Sequence, residues 1–312
     1  MKPSTQLSTS CISLLAIATL SIPFTTATDI DVSPSKPKPP SFAQPRQSLK
    51  TTRGFIPTQL GQSETPFIGG RNIFGKDDRV PVNESKYPWS AIGRVEAFKD
   101  KQMLGTCTGT LIGKRLVITN AHCIVDEVTK KITSNRIRFR PNLINGEAPA
   151  EAFASRVVLG TNDPRGDRGN DWAFLVLDRP FGETYGWMKF ILADLTDLDS
   201  VKETVNLVGY SADFPKDKPS ETAGVHRGCS IRGFGSLLGT ISHDCDMMAG
   251  ASGGPIFAFL PDGSAVMVAI NAAERVSPEG KKVAQFSKKT ANIGVFAAAW
   301  ASKAEELLKS EP

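Results

Sequence analysis

Short apolar runs rich in Val, Ile, Leu and Phe recur from Asn72 almost to the C terminus, each closed by Gly, Pro, Asn or Asp. The clearest are 89–95, 108–119, 137–140, 156–159, 172–177, 205–210, 254–260 and 265–271. Runs this short, punctuated this regularly, cannot build long helices. They predict strands, and strands in this number predict an all-β sandwich or barrel. One segment breaks the rhythm. Residues 296–309 are alanine-rich, with Trp300, Ala304, Leu307 and Leu308 spaced along one helical face. The body is therefore expected to be β, closed by a C-terminal helix.

Upstream of this body the composition changes twice. Lys2, a short apolar run over 11–22 and the small residues Thr25-Thr26-Ala27 have the layout of a secretory signal peptide, 1–28. That run is too short to span a bilayer comfortably, and no other stretch reaches 18 apolar residues, so a soluble, secreted or periplasmic protein without stable membrane association is expected. Residues 29–71 then hold Pro34, Pro37, Pro39, Pro40, Pro45, Pro57 and Pro66 among scattered Lys and Arg. Proline at this density excludes helix and central strand, and the block reads as a propeptide.

Charge follows the same division. The formal net charge is +5, but residues 1–71 carry seven Lys/Arg against three Asp/Glu and leave the body at +1. A body without excess positive charge has little counterion release to drive nucleic-acid binding, so no nucleic-acid partner is expected.

Beyond Cys11, four cysteines stand at 107, 123, 229 and 245. Four allow three connectivities, and sequential pairing would staple two separate hairpin-like loops, each worth about 3 kcal/mol in the chain-entropy account. With no C-x-x-C and only three histidines, no metal site is expected.

Three segments carry candidate chemistry. In Gly250-Ala251-Ser252-Gly253-Gly254-Pro255 a serine among glycines has an uncrowded hydroxyl, and the amides of Gly250 and Ser252 are placed to converge on a developing oxyanion. His122, in Thr119-Asn120-Ala121-His122-Cys123, ends an apolar strand; with His226 and His243 the only other histidines, candidates for a general base are few. Asp171 opens the apolar run 172–177, where a carboxylate can orient an imidazole. Asp163, Asp167 and Asp178 compete for that role, and none directly precedes a buried strand.

In order and in motif, these segments resemble the chymotrypsin/trypsin-like serine peptidases. The resemblance covers the body: His-Cys with a cysteine 16 positions earlier, Asp-Trp-Ala-Phe-Leu, Gly-x-Ser-Gly-Gly-Pro and a closing helix. It implies two packed antiparallel β-barrels, here roughly 72–185 and 186–295, then the helix 296–309. It also implies His122, Asp171 and Ser252 as the triad, no cofactor, protein or peptide substrates, and a monomer. Phe74 to Val82 with Tyr87-Pro88-Trp89 resembles the glutamyl endopeptidase branch, in which the mature chain begins seven residues before the arginine of the Asp-Arg pair; here that is Asn72, after Arg71. Ala251 stands where trypsin-like enzymes carry the aspartate that pairs with the new amino terminus, so that switch is absent.

For specificity the resemblance points two ways. Glutamyl endopeptidases place a histidine after the strand following the serine, where this chain has Asn271, and a threonine five before the serine, where it has Met247. Asp246, six before Ser252, stands where trypsin-like enzymes keep the acid that binds Lys and Arg, but Cys245 precedes it instead of following two residues later. Asp246 favours Arg/Lys and the branch favours Glu. A catalytically silent barrel serving as a secreted binding module is the alternative. Gly233 to Gly239 only mimics a dinucleotide loop, Lys281-Lys282 and Lys288-Lys289 read as solvated turns, and Asn83-Glu84-Ser85 is a glycosylation sequon.

Overall fold

The computed structural model describes residues 54–60, 77–193, 195, 202–273, 287 and 290–310. The expected signal peptide, most of the proline-rich block, the junction between Arg71 and Asn72, and the two Lys-Lys pairs lie outside the described residues.

A two-residue strand, β1 (Val80–Pro81), enters the body, and the first half follows as six strands. They are β2 (Ile92–Lys99), β3 (Gln102–Leu111), β4 (Leu116–Thr119), β5 (Arg136–Pro141), β6 (Ala152–Leu159) and β7 (Ala173–Leu177). They close as a barrel in the order β2-β3-β4-β7-β6-β5, with every pair antiparallel. The apolar run 108–119 thus becomes two strands, because residues 112–115 turn the chain back between β3 and β4. β7 is buried along its whole length. Its outer face is covered as well, Phe174 meeting the ring of Trp300 edge-on at 6.4 Å. That is why it reads as a continuous apolar run rather than an alternating one.

A carboxylate lies inside the barrel wall. Glu96 on β2 is fully buried, and its two oxygens accept from Arg94 Nε at 2.7 Å and Arg138 Nε at 2.6 Å. Arg140 stands 3.6 Å away. A buried carboxylate survives only when its oxygens are filled this way.

A short helix, α1 (Phe181–Tyr185), leads to the second half, which comprises β8 (Lys189–Phe190), β9 (Val205–Gly209), β10 (Gly224–Cys229), β11 (Ile231–Phe234), β12 (Thr240–His243), β13 (Pro255–Phe259), β14 (Ala265–Ala273) and β15 (Asn292–Phe296). With β1 they make a nine-stranded sheet in the order β1-β10-β9-β13-β14-β15-β12-β11, with β8 lying parallel beside β14. The mostly-β fold with few helices is the one expected. The strand path of this half runs open where the first barrel closes.

The C-terminal helix begins later than its apolar spacing suggests. Phe296 still belongs to β15, residues Ala297–Ala299 form a 3-10 turn, and α2 spans Ala301–Ser310. Trp300, Ala304 and Leu307 are buried along one side, as that spacing requires. No helix among the described residues is long and apolar enough to cross a membrane. Disulfides join Cys107 to Cys123 and Cys229 to Cys245, each across 16 positions, the sequential pairing.

Candidate active site

His122 lies in a 3-10 turn, Ala121–Cys123, at the end of β4. The next residue is tied by its disulfide to Cys107 on β3, so the turn cannot swing. Asp171 approaches from the turn Arg168–Asn170 that opens β7, with its side chain fully buried. Its Oδ1 accepts the backbone N–H of His122 at 2.9 Å, and its Oδ2 lies 2.8 Å from His122 Nδ1. A carboxylate at Nδ1 holds the proton there and leaves the Nε2 lone pair facing outward. Asn120 Nδ2 donates to the Asp171 carbonyl at 2.6 Å, and Arg168 Nη1 reaches Asp171 Oδ2 at 3.1 Å. The competing acids are engaged elsewhere: Asp163 with Lys130, Asp167 with Asn170, Asp178 with the Phe153 amide.

Ser252 comes from the second half, in the loop before β13. Thr108 on β3 carries it to the histidine. The Thr108 N–H donates to Ser252 O at 2.8 Å, and its hydroxyl donates to Gly250 O at 2.9 Å while accepting from the Tyr210 amide at 2.9 Å. Thr108 is itself adjacent to Cys107, whose sulfur lies within 4.8 Å of a ring nitrogen of His122. The fully buried Thr108 therefore joins the two halves beside the serine loop. Gly250 and Gly253 both have positive φ, at 93° and 79°, and a Cβ on Gly253 would stand 2.2 Å from Thr108 O. Only glycine permits that approach. Among the described residues, neither the Gly250 nor the Ser252 N–H donates to a protein acceptor, and no hydrogen bond joins Ser252 Oγ to the imidazole.

The residues singled out for specificity separate. Asn271 is fully buried, its backbone pairs with Gly253 and Gly254, and its Nδ2 donates to Ala251 O at 3.1 Å. Its side chain thus braces the serine loop. Asp246 is partly buried and accepts from the Asp78 amide at 3.3 Å. Burial, reinforced by Asp77 and Asp78 nearby, pushes its carboxyl up to about 7 against the pull of that amide and of Arg79. Its own N–H donates to His226 Nδ1 at 2.7 Å. Burial, with His243 close by, drives His226 down to about 3. Burial also takes His243 down to about 4, although the Asn271 side chain and Ile293 backbone stand near enough to favour its charged form. Both imidazoles are thus held neutral in the second half.

Comparison with known proteins places this geometry. A model of the trypsin-like peptidase domain matches residues 107–266, just over half of the chain. The chain belongs to the trypsin-like peptidase family. It is 28% identical over 189 residues to a glutamyl endopeptidase of Bacillus licheniformis, a match covering 60% of this chain and 55% of that protein. The chain thus matches about half the length of that curated relative. The solved structure of a Glu endopeptidase in complex with MPD superposes with a TM-score of 0.59 at 19% identity, over 76% of this chain and all of the other. A thermostable serine protease from an extremophilic microorganism gives 0.54 at 17% identity, over 72% of this chain and 99% of the other. These likenesses show the fold.

Within that fold, two residues of the site were not legible as such in the sequence. Thr108 sits in an apolar strand with nothing to mark its three bonds to the other half. Arg168, three residues before Asp171 in a family site, offered only its charge and its spacing.

Proposed function

We propose that this chain is a secreted serine endopeptidase made as a proenzyme, with residues 1–28 as signal peptide, 29–71 as propeptide and 72–312 as the peptidase. The observation that carries the reading is the 2.8 Å bond between His122 Nδ1 and Asp171 Oδ2, beside a serine loop joined to the same strand as the His122 disulfide. In this reading Ser252 Oγ attacks the substrate carbonyl carbon while His122 Nε2 takes its proton. The proton then passes to the leaving amine, and water reverses the steps to free the acyl group. Asp171 holds the tautomer and offsets the charge on the imidazolium. The unclaimed N–H groups of Gly250 and Ser252 receive the oxyanion. The serine–imidazole contact tightens when substrate fills the site.

The substrate is a protein or peptide and the enzyme acts as a monomer outside the cytoplasm. Asp246 supports cleavage after Arg or Lys, because among the described residues its half-buried carboxyl accepts one long hydrogen bond and forms no ion pair, Arg79 acting on it only from a distance. Glu preference is the second reading, favoured by the glutamyl endopeptidase likeness. Matched Arg and Glu peptides, assayed with wild type and Asp246→Asn, separate the two: the variant loses Arg cleavage in the first case alone. The triad itself is tested with a fluorophosphonate probe. Labelling of Ser252 that Ser252→Ala abolishes supports the peptidase; failure of the folded, processed protein to label leaves the silent binding barrel.

A further inference from the structure

Gly54 to Leu60 stands apart from the body in sequence, yet it is seated on it. Phe55 forms an antiparallel bridge with Trp187, its N–H donating to Trp187 O at 3.0 Å and its carbonyl accepting the Trp187 N–H at 2.9 Å. The two rings stack at 4.4 Å with 27° between their planes. Ile56 packs on the main core and Pro57 is buried. The body is shaped for this. At Gly186, which has a φ of 76°, a Cβ would stand 2.7 Å from Phe55 O and 3.2 Å from Pro57 Cδ. A side chain there would close the notch.

We infer that the notch at Gly186–Trp187, where the chain passes from the first half to the second, is a docking site for Gly54–Pro57, occupied in the intact chain and vacated once the segment between Leu60 and Asp77 is cut. The inference rests on reading 29–71 as a leader. Magnitudes decide the release. Two backbone hydrogen bonds, one aromatic stack and two small apolar side chains give a separated peptide no better than millimolar affinity. A short covalent tether supplies an effective concentration of the same order. Residues 61–76, which include Arg71, are anchored at the other end by β1, where Val80 pairs with Val225. Cutting between these anchors removes the effective concentration at one stroke. Among the described residues, none of the contacts of Gly54–Leu60 involves His122, Asp171 or Ser252, so this docked segment does not act by covering the triad.

The test uses the full secreted chain, before and after an arginine-specific protease has made Asn72 the new terminus. In the uncut chain the Phe55 and Trp187 amides are expected to exchange about twofold more slowly than in free peptide, the protection that an effective concentration equal to the dissociation constant gives. Cutting, or Phe55→Ala without cutting, returns Trp187 to fast exchange while core amides such as Val117 keep their protection. After cutting, the leader fragment runs apart from the body on size exclusion at micromolar protein. Free-peptide exchange at Phe55 and Trp187 in the uncut chain overturns the docking site. A leader that co-elutes with the cut body overturns the release. A chain that is never processed near Arg71 in its host counts against the leader reading, and leaves the exchange result to judge the docking by itself.

Discussion

The two halves of this molecule solve the problem of buried polarity in opposite ways. In the first barrel the buried charges are paired: Glu96 is filled by arginines, and Asp171 by His122, Asn120 and Arg168. In the second half Asp244 is likewise paired, with Arg232, but the other buried titratable groups are neutralised, with two imidazoles pushed far below the ordinary histidine range and the Asp246 carboxyl raised to about 7. The first half therefore keeps fixed charge where a proton has to be moved and held. The half that presents the serine shapes its loop with backbone hydrogen bonds and glycines. One consequence is that charge removal should hurt the first half, whereas pH should act mainly through the second.

The largest expected effect is on the charged side. Asp171→Asn is predicted to lower kcat by about 10⁴, by stabilising the wrong imidazole tautomer, with the fold intact by circular dichroism. If Asp167→Asn does so instead, the assignment moves. Glu96→Ala leaves three arginines facing one another in the barrel wall, and should cost about 3–5 kcal/mol in urea unfolding. A loss below about 1 kcal/mol would mean that the pairing in the first half stabilises little.

Next comes the junction. Thr108→Val removes the hydroxyl from the part-buried Gly250 O and the buried Tyr210 amide, at a cost of about 1–3 kcal/mol. Because the same carbonyl belongs to the proposed oxyanion loop, kcat should fall about tenfold or more while KM changes little.

Smaller effects distinguish the neutralised half. A carboxyl raised to about 7 in the native state holds a proton that the unfolded chain has released, so Asp246 lowers stability as pH rises from about 4 to about 7. The Tm of Asp246→Asn should match wild type near pH 4 and exceed it by a margin that grows up to pH 7 and then stays level. For His226 and His243 the sign reverses. The unfolded chain takes up protons below about 6.5, the native state only near 3 to 4, and stability is lost as pH falls through that window. In Asp246→Asn, where that opposing effect is gone, Tm should climb steadily from pH 4 to 6.5. A flat profile would break the comparison. The smallest change is expected for Arg168→Gln. With the cation gone from Asp171 Oδ2, where His122 and Asn120 still hold the residue, kcat/KM should change by less than about tenfold while Tm holds.

What was legible in the sequence follows the same line between local and non-local information. His122, Asp171 and Ser252 each stand in a local signature, a strand end or a glycine turn, and so announced themselves as candidates. So did the two cysteine pairs and the buried face of α2. The strands β11, β12 and β15 were harder to read, because a four-residue strand such as Thr240–His243 mixes polar and apolar residues and gains its order from pairing with distant β15. Thr108 and Arg168 act through partners that the chain order does not reveal. Asn271 marks the same limit: its position suggested a pocket, and only the tertiary structure shows its amide spent on Ala251 O.

The bonds at Thr108 also bear on safety during the proposed export. A peptidase that could cut while half-built would threaten itself and every chain crossing with it. Under the proposed triad the acid-base pair belongs to one half and the nucleophile to the other, and buried Thr108, together with bonds from Arg94, Leu143, Asn145 and Gly146 across the same boundary, ties them in register. Neither half alone has anything to cut with, and a loosely docked pair leaves the Gly250 carbonyl unheld. On the proposed proenzyme reading, completion of folding is thus the first lock on the enzyme, set before the leader is removed.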